Sequence, residues 1–163
     1  MSETTTSTAV ISPCGLYRYI LTRTWSAAEK IVWIMLNPST ADASLDDPTI
    51  RRCVGFSKQW GAGGIEVYNL FAFRATQPTE LRTAADPIGI SNDAFLSAIP
   101  QDRKIVVAWG GSGPLLNVIR PRSEQVRRIL AHRKLECLGY SVKSGQPKHP
   151  LYLAAITERR AYA

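Results

Sequence analysis

Residues 31–42 read IVWIMLNPSTAD. The apolar run Ile31–Leu36, rich in β-branched and aromatic side chains, predicts a strand buried on both faces. Pro38 cannot donate to a ladder and biases Asn37 toward extended backbone, so the chain is expected to leave the sheet at Asn37-Pro38-Ser39-Thr40. A polar amide then stands at the carboxyl end of a central strand, the edge on which open α/β sheets bind ligands. Taken alone, the stretch is a strand followed by a polar turn. Its company along the chain points further.

Before it, Tyr17–Arg23 (YRYILTR) reads as a first strand without strict alternation, preceded by a Ser12-Pro13-Cys14-Gly15 turn. After it, Asp47-Pro48 marks a helix start, Asp as the cap and Pro in the first turn, and Gly61–Gly64 marks its end. Ile65–Leu70 (IEVYNL) is a third strand, and it also ends on an asparagine, Asn69. Short helices are expected over Thr79–Ala85 and Asn92–Ile99, the latter capped by Ser91. Lys104–Trp109 (KIVVAW) is a fourth strand running into Gly110-Gly111-Ser112-Gly113-Pro114. A helix starts at Leu115, Pro121 is expected to break it, and a second helix is expected over Glu124–His132. Leu135–Leu138 is a last short strand, and the tail to Leu151 reads as loop. Strands alternating with helices predict a three-layer α/β/α sandwich on a mostly parallel sheet. Residues 1–11 are expected to be a frayed tail, and residues 12–163 one α/β domain.

Composition narrows the classes. A chain of 163 residues that is 45% hydrophobic supports one domain with a proper core. No apolar run is long enough to span a bilayer, and the Ser/Thr-rich start lacks the pattern of a signal peptide. Cys14, Cys53 and Cys137 are scattered, with no CxxC pair, which suits a reducing cytoplasm. The net charge is +7, and the excess lies late: residues 101–163 hold twelve Lys/Arg against four Asp/Glu, residues 1–50 three against five. That asymmetry fits either a polyanionic partner, nucleic acid before membrane, or a merely solvated basic face.

Four strand-end features, LNPST, VYNLF, AWGGSG and PKHPLYL, would collect on one edge of a parallel sheet. An asparagine amide both donates and accepts, so Asn37 and Asn69 suit the paired donors and acceptors of a base edge; each equally suits backbone capping. The glycine turn after Trp109 allows backbone N–H groups to face an anion, although it matches neither GxGxxG nor a P-loop. His149, in a loop stiffened by Pro147 and Pro150, is placed to hydrogen-bond a developing oxyanion or a phosphate; the plainer alternative is a surface histidine. Asp42, Asp46 and Asp47 could bind a metal or act as a base, but capping and turn duty is their more ordinary use. No metal-ligand spacing, GxSxG or HExxH occurs, so no metal or cofactor is expected.

The ordered set resembles the uracil-DNA glycosylase superfamily: a strand ending in Asn-Pro, one in Asn-Leu, one in Trp-Gly, and a late His-Pro loop. That resemblance implies an α/β/α fold and a DNA-repair hydrolase acting on a nucleobase, with DNA or a nucleotide as partner, and a monomer is expected. It implies that Asn37 positions the attacking water and that His149 stabilises the departing anion. Pro38, Ser39, Asn69, Phe71 (or Phe73), Gly110 and Pro150 would contact the substrate, with Asn69 reading the base and a phenylalanine stacking on it. Lys148, Leu151 and Tyr152 would meet DNA, one of the last two as a wedge. Ser39 stands where the Asn-Pro branches carry Gly, and Leu151 replaces the Ser of HPSP. Across SPCGLYRY, LNPSTAD, DDPTIRR and GQPKHPLYL the chain resembles more closely an uncharacterised bacterial and phage family known only as a domain of unknown function. The residues leave two other classes open: a module that holds the nucleotide or nucleic acid without cleaving it, and a metal-dependent hydrolase built on Asp42–Asp47.

Overall fold

The computed structural model describes residues 3–39 and 41–163; Met1, Ser2 and Thr40 lie outside the described residues, and with them part of the expected tail and the last residue of the expected turn. The elements are β1 (Thr6–Ile11), β2 (Arg18–Thr24), β3 (Lys30–Met35), α1 (Pro48–Gln59), β4 (Gly64–Asn69), α2 (Asn92–Ser97), β5 (Lys104–Val107), α3 (Leu116–Ile129), β6 (Leu135–Cys137) and β7 (Arg160–Ala161). Short 3₁₀ turns span Pro78–Arg82, Gly113–Leu115 and Pro150–Tyr152. No helix among the described residues is long and apolar enough to cross a membrane.

The seven strands among the described residues form one sheet in the order β1-β2-β4-β3-β5-β6-β7. β4, β3, β5 and β6 are parallel to one another. β1, β2 and β7 join antiparallel, so the sheet is mixed and not mostly parallel. The cause is local. β1 and β2 are joined by a turn that closes through Gly15 N–H to the Ser12 carbonyl, too short for a crossover, so they must form a hairpin. β2 then lies beside β4, with Leu21 opposite Val67.

β3 is buried on both faces, as its apolar run requires. Ile31, Trp33 and Met35 face a core with Ile50, Cys53 and Phe56 of α1. Val32 and Ile34 face the other core, with Leu96 of α2 and Ile119 and Val126 of α3. Helices therefore cover both faces. α1 starts as its sequence dictates: Asp47 Oδ1 accepts from the Ile50 N–H at 2.8 Å, and Pro48 fills the first turn. At Gly63 a Cβ would lie 2.2 Å from the Ala28 carbonyl oxygen, so only glycine lets the chain enter β4 there.

Three expectations are corrected. Thr6–Ile11 is not frayed: its β-branched residues pair with β2 as an edge strand whose alternate positions are exposed, and its Ser/Thr content suits that wet face. Pro121 does not break its helix. α3 runs through it, because the buried Ile119, Arg122 and Val126 hold both sides against the sheet and outweigh a cost of about 3 kcal/mol for an interior proline. Finally, Thr79–Ala85 yields only the 3₁₀ turn Pro78–Arg82; beyond the expected loop the chain returns to the sheet as β7.

Candidate functional site

The parallel strands end on one edge, and a cleft of about 400 Å³ opens there. Asn37, Ser39, Asn69, Gly110, His149, Leu151 and Tyr152 all line it, as the strand-end pattern expects. Because β2 runs antiparallel, its first residue, Arg18, arrives at the same edge and lines the cleft as well.

Asn37 is held by its own amide. Nδ2 donates to the Pro38 carbonyl at 2.9 Å and to the Ala75 carbonyl at 3.0 Å, which leaves Oδ1 as the acceptor facing outward. Ser39 donates to Asp47 Oδ2 at 2.8 Å, tying the loop to the start of α1. Pro38 is buried and serves through its carbonyl; it is not part of the cleft wall.

Asn69 is the most buried of these side chains. It is 1% exposed, and neither its amide oxygen nor its amide nitrogen has a partner. A buried, unpaired polar group costs about 1–3 kcal/mol, so this amide is retained against stability. The backbone around it is clamped. Asn92 Nδ2 donates to the Asn69 carbonyl at 3.0 Å and to the Leu70 carbonyl at 3.2 Å. Arg122 Nε donates to the Leu70 carbonyl at 2.7 Å, while its Nη2 pairs with Asp93 at 2.6 Å.

His149 forms the opposite wall. Its Nδ1 accepts from the Leu151 N–H at 3.2 Å, so the neutral ring carries its proton on Nε2 and is a donor there. Burial holds its pKa below the ordinary histidine value, opposed by the negative charge of Asp47. Gly110 makes this position possible: with φ +64, a Cβ there would lie 3.1 Å from the His149 Cβ. The turn carrying His149 is pinned to α1, since Arg52 donates to the Pro150 carbonyl at 3.3 Å and also to the Leu153 carbonyl.

Several expected residues fall elsewhere. Phe71 is 2% exposed within the core beneath α2 and α3, and Phe73 packs edge-on to Tyr17; neither ring lines the cleft. The aromatic lining comes from Trp109 and from Tyr152, which is 83% exposed beside the His149 ring. Lys148 points to solvent and Pro150 is buried in the turn; neither lines the cleft. The three early aspartates do structural work: Asp42 accepts from Ser44 and Leu45, Asp46 pairs with Arg23 at 2.8 Å, and Asp47 caps α1. No metal-holding group of three acids, histidines or cysteines forms among the described residues. Part of the late basic excess is also structural. Arg127 and Arg160 lie over Tyr162 and Tyr140, Arg159 lies over Trp60, and Arg122 is buried. Arg120, Arg128, Lys134, Lys143 and Lys148 remain exposed.

Arg18 is the residue that the sequence pattern alone does not single out. The available signal is a guanidinium set between two tyrosines at the start of a strand, but a parallel reading of β2 puts it at the wrong edge.

A model of the family described as "Protein of unknown function (DUF1643)" matches residues 18–151, and the chain belongs to that family. The match opens on Arg18 and closes on Leu151, so it spans all the lining residues named above except Tyr152. Nothing among curated proteins or solved structures matches the chain.

Proposed function

We propose that the cleft recognises a nucleobase through Asn69, and that the chain is a glycosylase-like enzyme hydrolysing the N-glycosidic bond of a damaged or modified base in DNA. One observation carries the reading. A buried amide whose donor and acceptor are both unpaired matches a ligand edge that offers one of each, as a base does. Asn69 is nearly closed off, so engagement includes a small parting of the floor. The order of LNP, YNL, WG and HP along one edge is what likens the site to the uracil-DNA glycosylase superfamily.

The chemistry follows from the side chains. Water adds to the sugar carbon as the carbon–nitrogen bond breaks, the bond pair leaves with the base, and the proton the water gives up ends on the departed base. The unspent Oδ1 of Asn37 accepts a hydrogen bond from that water and aims it. Negative charge grows on the base, where the Nε2–H of His149 is a neutral donor. The base must be extruded from its stack, at a cost of a few kcal/mol that is lowest for a mismatched or damaged base. Exposed Tyr152 and Leu151 at the rim fill the gap left in the stack, and the exposed late lysines and arginines meet phosphates.

A second reading, a module that binds the base without cleaving it, is favoured by Asp47. It is the carboxylate on the lining, and both of its oxygens are taken, by Ile50 N–H and by Ser39. The test separates the two. Oligonucleotides carrying uracil, hypoxanthine, hydroxymethyluracil or mismatches are incubated with the protein and treated with alkali. The enzyme reading expects strand cleavage that is lost in Asn37→Ala. Salt-sensitive binding with no abasic product from any substrate establishes the binding module instead, and absence of both refutes the nucleobase reading.

A further inference from the structure

Three arginines in this fold are 2% exposed: Arg18, Arg23 and Arg122. Two are compensated, Arg23 by Asp46 at 2.8 Å and Arg122 by Asp93 at 2.6 Å. Arg18 differs. Its Nη1 donates to the Ala41 carbonyl, but its Nε has no partner, and it forms no ion pair among the described residues. No acid bonds to it: Asp47 is engaged by Ile50 and Ser39 and Asp42 by its own turn, so their negative charges act on it only through space. Burial pushes the guanidinium down to about 10, opposed by the negative charges of Asp47 and Asp42 and helped by the positive charges of Arg74 and Arg23, so it stays charged at neutral pH. One carbonyl does not require five donors. A buried cation with no carboxylate in contact is costly, and this one lines the cleft.

We infer that Arg18 makes the inner end of the cleft an oxyanion site, so that the ligand read by Asn69 carries or develops negative charge on that side. The inference rests on the nucleobase reading and deepens it. Sheet order places the charge: β2 is the immediate neighbour of β4, so Arg18 stands beside the strand that ends in Asn69. The Gly110–Gly111 turn follows β5, two strands beyond β4, about 10 Å further across by ordinary strand spacing. Arg18 thus acts at the end where the base is read. The oxyanion has two possible sources, a ring carbonyl of an ionised or departing base and a phosphate of a nucleotide. In the hydrolysis described above, the bond pair stays with the departing base and delocalises onto a carbonyl oxygen of its ring, and Arg18 is the cation whose N–H groups stabilise that oxyanion.

The test measures binding by calorimetry and stability by thermal melting for wild type, Arg18→Met and Arg18→Lys. Its probes are pairs differing in charge: xanthine, whose ring ionises near neutrality, against hypoxanthine; a nucleoside 5′-monophosphate against its nucleoside; and inorganic phosphate. Wild type is expected to prefer the charged member of a pair at least tenfold. Arg18→Met should erase that preference while melting no lower than wild type, because it removes a buried charge that no ion pair answers; Arg18→Lys should keep part of the preference. Preference within the xanthine pair assigns the oxyanion to the ring, and preference within the nucleotide pair assigns it to phosphate. Equal binding within both pairs, or no binding of any probe, overturns the inference. So does an Arg18→Met variant that melts lower with its preferences intact, which would make Arg18 a strut for Ala41. If the charge preference holds but inorganic phosphate binds as well as any nucleotide, and Asn69→Leu changes nothing, the oxyanion site stands and the nucleobase reading fails.

Discussion

Replacing Asn69 by leucine should make this protein more stable and less able to bind. The amide buries a donor and an acceptor without partners, and each such group costs about 1–3 kcal/mol. Leucine keeps roughly the shape and removes both. Its extra bulk meets Met35, the partner of Asn69 in the parallel register, whose flexible side chain can give way. The clamp from Asn92 holds only the backbone carbonyl of residue 69 and survives the change. After about 1–2 kcal/mol of overpacking, a net gain of about 2 kcal/mol remains, or a melting temperature higher by about 4–8 °C in a chain of this size. Base recognition should fall by about 1–3 kcal/mol, at least fivefold and up to more than a hundredfold. Thermal melting followed by circular dichroism measures the first effect, and titration with a base-bearing oligonucleotide the second. A leucine variant that melts lower than wild type refutes the reasoning, because it would mean that the amide is already satisfied in the free protein.

Two further outcomes follow from the opposite wall. His149 has its pKa held below the ordinary value, so the native state binds its proton less readily than the unfolded chain. Its contribution to stability is present above about pH 6.5 and is lost as the pH falls through the lower folded pKa. Urea midpoints taken from pH 8 to pH 5 should drop more steeply for wild type than for His149→Asn, and parallel curves would contradict this assignment. Gly110→Ala should cost about 1–2 kcal/mol for its left-handed backbone, plus contact with the His149 Cβ, and lower the melting temperature by about 2–8 °C; an unchanged melting curve would show that the turn relaxes freely.

The site was legible in the sequence where its placement is local. An apolar run followed by Asn-Pro or Asn-Leu announces a strand end, and parallel strand ends share an edge, so Asn37, Asn69, Gly110 and His149 could be grouped before any coordinates. The direction in which β2 pairs is not local. It depends on a hairpin with β1, whose polar alternation disguises it as a tail, and that concealed Arg18. Phe71 was misplaced for a related reason: the position where the chain turns off the sheet decides whether its ring meets the cleft or the core under α2 and α3. Pro121 broke a pattern without breaking a helix, since burial of Arg122 and Val126 outweighs one lost backbone bond. The late basic excess overstated the free positive surface, because Arg127, Arg159 and Arg160 stack on aromatic rings contributed by distant segments.

The pinning of the His149 turn to α1 through Arg52 also bears on when the cleft comes into being. Arg18, Asn37 and Asn69 are synthesised early, whereas His149 and its turn leave the ribosome roughly 7 to 26 seconds after Arg18 at ordinary elongation rates. Pairing so distant in the chain is also the slow kind of contact to form. The central strands can collapse around Trp33 and Ile34 in the interval, with one wall of the cleft still missing. Arg52 waits on α1 as the docking point, so the cleft is completed only when the His149 turn docks. A chain stopped short of the His149 turn would keep most of its sheet and have no closed cleft at all.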